Sequence, residues 1–164
     1  MTIALVTAMQ LVRHLILGGG TVHTITAGRF TRLPNRYRLV DSEEVPAFHR
    51  AFEVEPVESV QPDPVAAYVS GNLVDSIAQI VVRVGYLQGG GDGADYASVG
   101  DLMAEDAAII RRTLEEPRNY QGTSSGIIVN DWVRDAFQYA TAPDRRAILE
   151  QTYRVRLQDD YGVF

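Results

Sequence analysis

An alternation of side chains over residues 77–86 constrains the fold of this chain more than any other feature of its sequence. Every second residue is apolar or aromatic: Ala78, Ile80, Val82, Val84 and Tyr86. Gln79, Arg83 and Gly85 lie between them, together with Ile77 and Val81. A spacing of two residues predicts a β-strand with one well-buried face.

Three further segments have the composition of strands. The last strand is predicted from about Ala147 to Leu157, because Leu149, Tyr153 and Val155 alternate with charged and polar residues. Another strand is predicted from residue 127 towards 139, with Val129 and Val133 on the face opposite Trp132. The β-branched residues after position 22 and the turn signal Pro34-Asn35 predict a long hairpin over residues 22–40.

Two segments have helical spacing. Over residues 2–17, Leu5, Met9, Val12 and Ile16 share one face, and three glycines at 18–20 end the helix. A second helix is predicted to start at about Ser98, which precedes Asp101 by three residues, and to end at Glu116-Pro117. The order α-β-β-β-α-β-β favours an α+β fold, in which two helices pack on one face of a largely antiparallel sheet.

Length and composition favour a single domain over residues 1–164. An acidic, proline-containing insert is expected at about residues 41–64. The chain has no cysteine, which excludes disulfides and cysteine zinc sites. Its first apolar run is interrupted and shorter than a bilayer span, so we expect a soluble, intracellular protein with no membrane contact.

No residue pattern indicates catalysis. His14, His23 and His49 have no metal-ligand spacing, and the glycines at 89–93 lack the lysine of a phosphate-binding loop. The serines at 124–125 precede a predicted strand, where a nucleophile elbow does not occur. We therefore predict no catalytic residue, no cofactor site and no metal site, and we do not expect an enzyme.

Charge is strongly segregated along the chain. Residues 1–40 contain five arginines and no acidic residue, so their net charge is +5. Residues 41–164 contain ten arginines and 21 acidic residues, so their net charge is −11. Four of the first five arginines lie between positions 29 and 38. Such a cluster is typical either of a solvated face or of a basic edge that docks on an acidic neighbour.

The sequence resembles the tail terminator (tail completion) proteins of tailed bacteriophages and phage-derived particles. The segments that look like the C-terminal half of that family are the strand 80–86, the helix 106–114, the segment 126–129 and the closing strand 147–157. What these segments share with the family is mostly the spacing of their hydrophobic residues. The insert at 41–64 departs from the family pattern.

The resemblance implies a structural virion protein, assembled in the host cytoplasm and located at the junction of tail and neck. It implies a homo-oligomeric, hexameric ring that caps the tail tube, ends its polymerisation and offers a surface to the neck. The partners implied are the tail-tube protein on one face and a neck protein on the other. DNA is expected to pass through the lumen without specific binding. We hypothesise that Arg29, Arg32, Arg36 and Arg38 contact an acidic neighbour in this assembly.

Three alternatives stay open from the sequence. The first is another virion-assembly protein: a neck or head-completion protein, or a relative of the tail-tube protein. The second is a small cytoplasmic ligand-binding domain or enzyme that uses His14, His23 or His49. The third alternative is direct DNA binding through the arginines of residues 29–38, for which the overall net charge of −6 is unfavourable.

Overall fold

Two helices pack on one face of a mixed, mainly antiparallel sheet, as the sequence predicts. The computed structural model describes residues 3–35, 37–39, 49–57, 61–62, 73–87, 96–120, 128–139 and 146–160. The elements are α1 (Ile3–His14), β1 (Thr31–Arg32), β2 (Ala51–Pro56), β3 (Gln61–Pro62), β4 (Leu73–Leu87), α2 (Tyr96–Leu114), β5 (Ile128–Tyr139) and β6 (Arg146–Asp160). A helical segment, Leu15–Gly19, continues α1, and a 3-10 turn, Pro117–Tyr120, follows α2.

The described part of the sheet has six strands in the order β1-β2-β4-β6-β5, with β3 also paired to β4. Among these strands, β1 and β2 are parallel and the other pairs are antiparallel. β2 and β3 pair with successive parts of the same long strand, since Pro56 is opposite Ile80 and Gln61 is opposite Ile77. The α+β fold class is confirmed, and the element order differs from the predicted one by an additional short strand before β4.

The core lies between this sheet and the two helices. Alternate residues of β4 and β6 face α1 and α2 across it, and its largest fully buried side chains include Tyr86, Tyr153, Phe30 and Phe52. A smaller cluster of Leu33, Leu39 and Ala51 lies apart from it. The backbone of Gly85 packs closely against this cluster, since a methyl group at that position would lie 2.8 Å from Leu39 Cδ2.

The predicted hairpin over residues 22–40 is wrong. The described part of that segment contains only β1, which pairs in parallel with Ala51 and Phe52 of β2. The β-branched residues before it are held by a side chain instead: Asn119 Oδ1 accepts from the backbone nitrogens of Thr21 and Val22, each at 3.0 Å. A positive φ of 50° at His23 then breaks the extended backbone.

The predicted faces of β5 are also wrong. The register shifts between Val129 and Asp131 and again between Trp132 and Arg134, as expected of bulges. Trp132 is therefore opposite Tyr153, a core residue, whereas Val133 is 36% exposed. Each bulge inserts one residue into β5, and the residues after it change faces. A prediction that assumes strict alternation therefore assigns them to the wrong face.

β4 and β6 extend beyond the other described strands of the sheet. They pair from Leu87 and Arg146 at one end to Leu73 and Asp160 at the other. β5 stops opposite Arg156, and β3 reaches no further than Ser76. Residues 73–75 and 158–160 therefore form a two-stranded end, which we call the arm.

The acidic insert predicted at 41–64 includes β2 and β3, which belong to the sheet. Its positions 41–48, 58–60 and 63–64 lie outside the described residues, as do the glycines at 89–93.

Candidate functional site

A cleft lined by three arginines lies between α1 and the outer edge of β2. Its volume is about 410 Å³, and Arg13, Arg32 and Arg38 supply its positive charge. β1 covers only the first two residues of β2, so the remainder of that edge opens into the cleft. We call this site the basic cleft.

Arg13 reaches the basic cleft from α1. Its Nη2 atom donates a hydrogen bond to the Val54 carbonyl at 3.0 Å, which fixes the guanidinium against the open edge of β2. Burial lowers the pKa of Arg13, and the positive charges of Arg32 and Arg38 lower it further. Three like charges therefore converge at this site, an arrangement that an added anion would stabilise.

Arg32 and Arg38 are the exposed members of the basic cleft. Arg32 donates from Nη2 to Asn35 Oδ1 at 3.0 Å. Arg38 Nε lies 2.7 Å from Glu55 Oε1, and its side chain remains 52% exposed. A planar guanidinium can bind a carboxylate through two parallel hydrogen bonds, which makes arginine well suited to such contacts.

Two glutamates also line the basic cleft, and both contact Arg83. Arg83 Nη1 lies 2.9 Å from Glu55 Oε2 and 3.4 Å from Glu53 Oε1, while its Nε lies 2.9 Å from Glu150 Oε2. Burial raises the pKa of Glu53, and the neighbouring charge of Glu55 acts in the same direction. Arg83 is shared by Glu53, Glu55 and Glu150, and Glu55 also pairs with Arg38. The four arginines and three glutamates of this group therefore leave a net charge of +1 at the basic cleft.

Arg29, the first residue of the predicted interface set, is bound inside the chain. Its Nη2 atom lies 2.8 Å from Asp106 Oδ1 and 3.1 Å from Glu105 Oε1. Arg50 Nε and the Tyr86 hydroxyl donate to Asp106 Oδ2, each at 2.9 Å. The Asp106 side chain is fully buried, and this network joins α2 to the chain on either side of β1. Arg29 therefore has a structural role here.

Of the four predicted interface arginines, the structure places Arg32 and Arg38 together in the basic cleft and Arg29 apart from them. Arg36 lies outside the described residues. The sequence reasoning missed Arg13 and Asp106. Each carried a detectable signal, because each is a charged residue on the apolar side of a helix, four residues after Met9 and four residues before Ile110.

The three histidines have separate surroundings. His14 is exposed at the end of α1, and a methyl group at Gly19 would collide with its ring. His23 Nε2 lies 3.6 Å from Glu116 Oε2. His49 makes an edge contact with the Tyr86 ring, and its Nδ1 accepts from the Leu87 backbone nitrogen at 3.4 Å. No group of three or more potential metal ligands comes together among the residues that the structure describes.

The opposite edge of the sheet carries a different kind of surface. β5 is the last described strand on that side, and Phe137 and Val133 are 44% and 36% exposed on it. Phe137 also lines a cleft of about 490 Å³ with Ala104, Ala107 and Ala108 of α2. The Arg111 guanidinium stacks on the Trp132 ring of β5, 4.2 Å from its centroid. We call this surface the β5 edge.

Comparison with protein-family models and with curated proteins gave no match for this chain. Within the described ranges, neither helix is long and apolar enough to cross a membrane.

Proposed function

We propose that this chain is a tail terminator of a tailed bacteriophage or a phage-derived particle. Six copies form a ring that caps the tail tube, ends its polymerisation and presents a surface to the neck. DNA passes through the lumen without specific binding, and the protein resides in the virion at the junction of tail and neck. This function requires no chemical step.

One observation carries the proposal: the two end strands of the sheet present different surfaces. The basic cleft lies at the β1–β2 side, and the β5 edge with exposed Phe137 lies at the other side. A closed ring of identical subunits uses head-to-tail contacts, in which each copy offers two different patches. Edges with unlike chemistry on opposite sides of one sheet meet that requirement.

The β5 edge also has the features of a strand that is covered in an assembly. Beyond the bulges, residues 134–139 pair regularly with β6, and β5 has no strand on its other side among the described residues. An exposed aromatic beside such an edge favours association with another chain.

Tail-tube assembly in vitro tests this function. Tail-tube protein is polymerised alone, with the chain, and with an unrelated acidic protein of similar mass, and tube lengths are measured by electron microscopy. We expect the chain to shorten the tubes in proportion to its concentration and to be visible as a ring at one end. Tubes of unchanged length with bare ends would overturn the proposal.

A matched pair of variants tests the β5 edge within the same assay. Phe137→Ser should weaken capping by about tenfold, since an exposed aromatic anchor is lost from the subunit contact. Leu17→Ser removes an apolar side chain of similar exposure, 43%, that lies on neither end strand, and it should cap as the wild type does. Equal capping by both variants would exclude the β5 edge from the ring.

A further inference from the structure

We infer that the arm of one copy inserts its acidic end into the basic cleft of a second copy. This inference rests on the proposed ring and identifies one of its contacts. The arm contains three acidic residues, Asp75, Asp159 and Asp160, and no basic residue. The basic cleft has three arginines and two glutamates around one cavity of about 410 Å³, and Arg83 contacts both glutamates, so the site is net positive.

The arm is suited to reach another molecule. Residues 73–75 and 158–160 lie past the ends of β2, β3 and β5, so no third strand flanks them in the described part of the sheet. A two-stranded ribbon is only marginally stable in water by itself. In this chain the ribbon continues the paired strands β4 and β6, whose residues from Ala78 and up to Val155 pack in the core.

The arm cannot enter the cleft of its own chain. The β2 residues that line the basic cleft pair with residues 80–84 of β4. Asp75 lies five positions further along the same strand, a separation of roughly 17 Å at about 3.3 Å per residue. Since both sites are fixed on one continuous strand, a carboxylate of the arm reaches an arginine cleft only in another copy.

The charge of the basic cleft favours an acidic segment such as the arm. Arg32 is exposed, and Arg38 is half-exposed although it pairs with Glu55. The Val54 carbonyl holds Arg13 near them, where burial and the two neighbouring positive charges lower its pKa. A carboxylate that enters this site forms charge-assisted hydrogen bonds and reduces the repulsion among the arginines. Because the cleft and the arm are different patches of the same chain, the contact is head-to-tail and is compatible with ring closure.

A charge swap between two variants tests this contact. The cleft variant is Arg32→Glu/Arg38→Glu, and the arm variant is Asp159→Arg/Asp160→Arg. Each is measured by light scattering over a concentration series, with and without tail tubes, after circular dichroism has shown a folded chain. We expect each variant alone to need a roughly 100-fold higher concentration than the wild type to assemble, since like charges then meet in every contact.

The mixture of the two variants is the decisive sample. The acidic cleft of one variant faces the basic arm of the other, and the acidic arm of the first faces the unaltered cleft of the second. An equimolar mixture should therefore regain assembly as an alternating ring with an even number of subunits. A mere folding defect in either variant would not be corrected by mixing.

Two charge reversals away from the basic cleft, the arm and the β5 edge are the matched controls. Arg118→Glu, in the 3-10 turn, and Asp101→Arg, on α2, change exposed side chains and should assemble as the wild type does. If wild-type rings form but the cleft variant assembles equally well, the arm contact is overturned and the ring proposal stands. The arm contact is likewise overturned if the cleft variant loses only retention of duplex DNA, which would make the cleft a phosphate site. A wild type that never assembles would overturn the proposed function itself.

Discussion

At the scale of single residues, the buried carboxylate of Asp106 binds the chain around β1, the region where the prediction from sequence was wrong. It accepts hydrogen bonds from Arg29, Arg50 and Tyr86, and it thereby joins α2 to β4 and to the chain around β1. Breaking a buried ion pair leaves its partners uncompensated, and this cost usually exceeds the net gain from the pair.

We predict that Asp106→Asn lowers the free energy of unfolding by about 3 kcal/mol, because the Arg50 guanidinium then loses its anion and Arg29 keeps only the exposed Glu105. Urea unfolding measures this change. Asp101→Asn, an exposed residue of the same helix, is the control and should change stability by less than about 0.5 kcal/mol. A similar effect of both variants would show that the network is not important for stability.

Buried tyrosines give the second prediction at this scale. Burial raises the pKa of Tyr86, Tyr120 and Tyr153 above the ordinary value of 10, and the charge of Asp106 raises that of Tyr86 further. Since the folded-state pKa exceeds the unfolded one, the stabilisation from these phenols is complete below pH 10 and is lost as the pH rises above it.

We therefore expect the urea midpoint to fall steadily between about pH 10 and pH 12, with tyrosinate absorbance of the three residues appearing only on unfolding. Tyr86→Phe should show a shallower fall. The prediction fails if all eight tyrosines ionise near pH 10 in a chain that stays folded.

At the scale of elements, the segments with regular spacing were predicted correctly from the sequence. The helices, β4 and β6 were predicted within a few residues, because one face of each is apolar over many turns or alternations. The segment before β1 was predicted wrongly, because its backbone groups are bonded by the Asn119 side chain, 97 residues away along the sequence. Local pattern carries no information about such a distant partner.

The candidate site, like the fold, was predictable from the sequence only in part. The clustering of Arg32 and Arg38 was visible because the two residues are close in sequence. Arg13 joins them only because α1 packs beside β2, and Arg29 leaves them because a buried carboxylate on α2 binds it. Both outcomes depend on tertiary packing, so charge counting alone could not separate these four arginines.

Two glycines, one at the end of the first helix and one before β1, give a prediction at the scale of elements. Gly18 and Gly28 have φ values of 104° and 85°, where an L side chain is strained. Gly28→Ala should cost about 1 kcal/mol for this strain alone, since nothing lies within 4 Å of a methyl group there.

Gly18→Ala should cost about 1 kcal/mol more, because the methyl group would lie 2.8 Å from the Ile25 carbonyl oxygen. Thermal or urea unfolding of both variants measures the difference. Equal losses of stability would show that the chain after α1 moves aside easily.

At the scale of the whole molecule, three surfaces with different chemistry lie on different parts of one sheet. The basic cleft and the β5 edge lie on its two sides, and the acidic arm extends from one end of its central pair of strands. Exposed charge contacts are screened by salt, whereas apolar contacts are not weakened in this way. We therefore expect the assembly to weaken, but not to vanish, as sodium chloride is raised.

The most direct test is the solution mass of the wild-type chain, measured by light scattering over a concentration series in low and high salt, alone and with tail tubes. We predict a change from the 18.1 kDa monomer to a closed ring, either with concentration or on tube ends, and a shift of that change to higher concentration in salt. A monomer at every concentration that also ignores tail tubes would contradict the proposed ring.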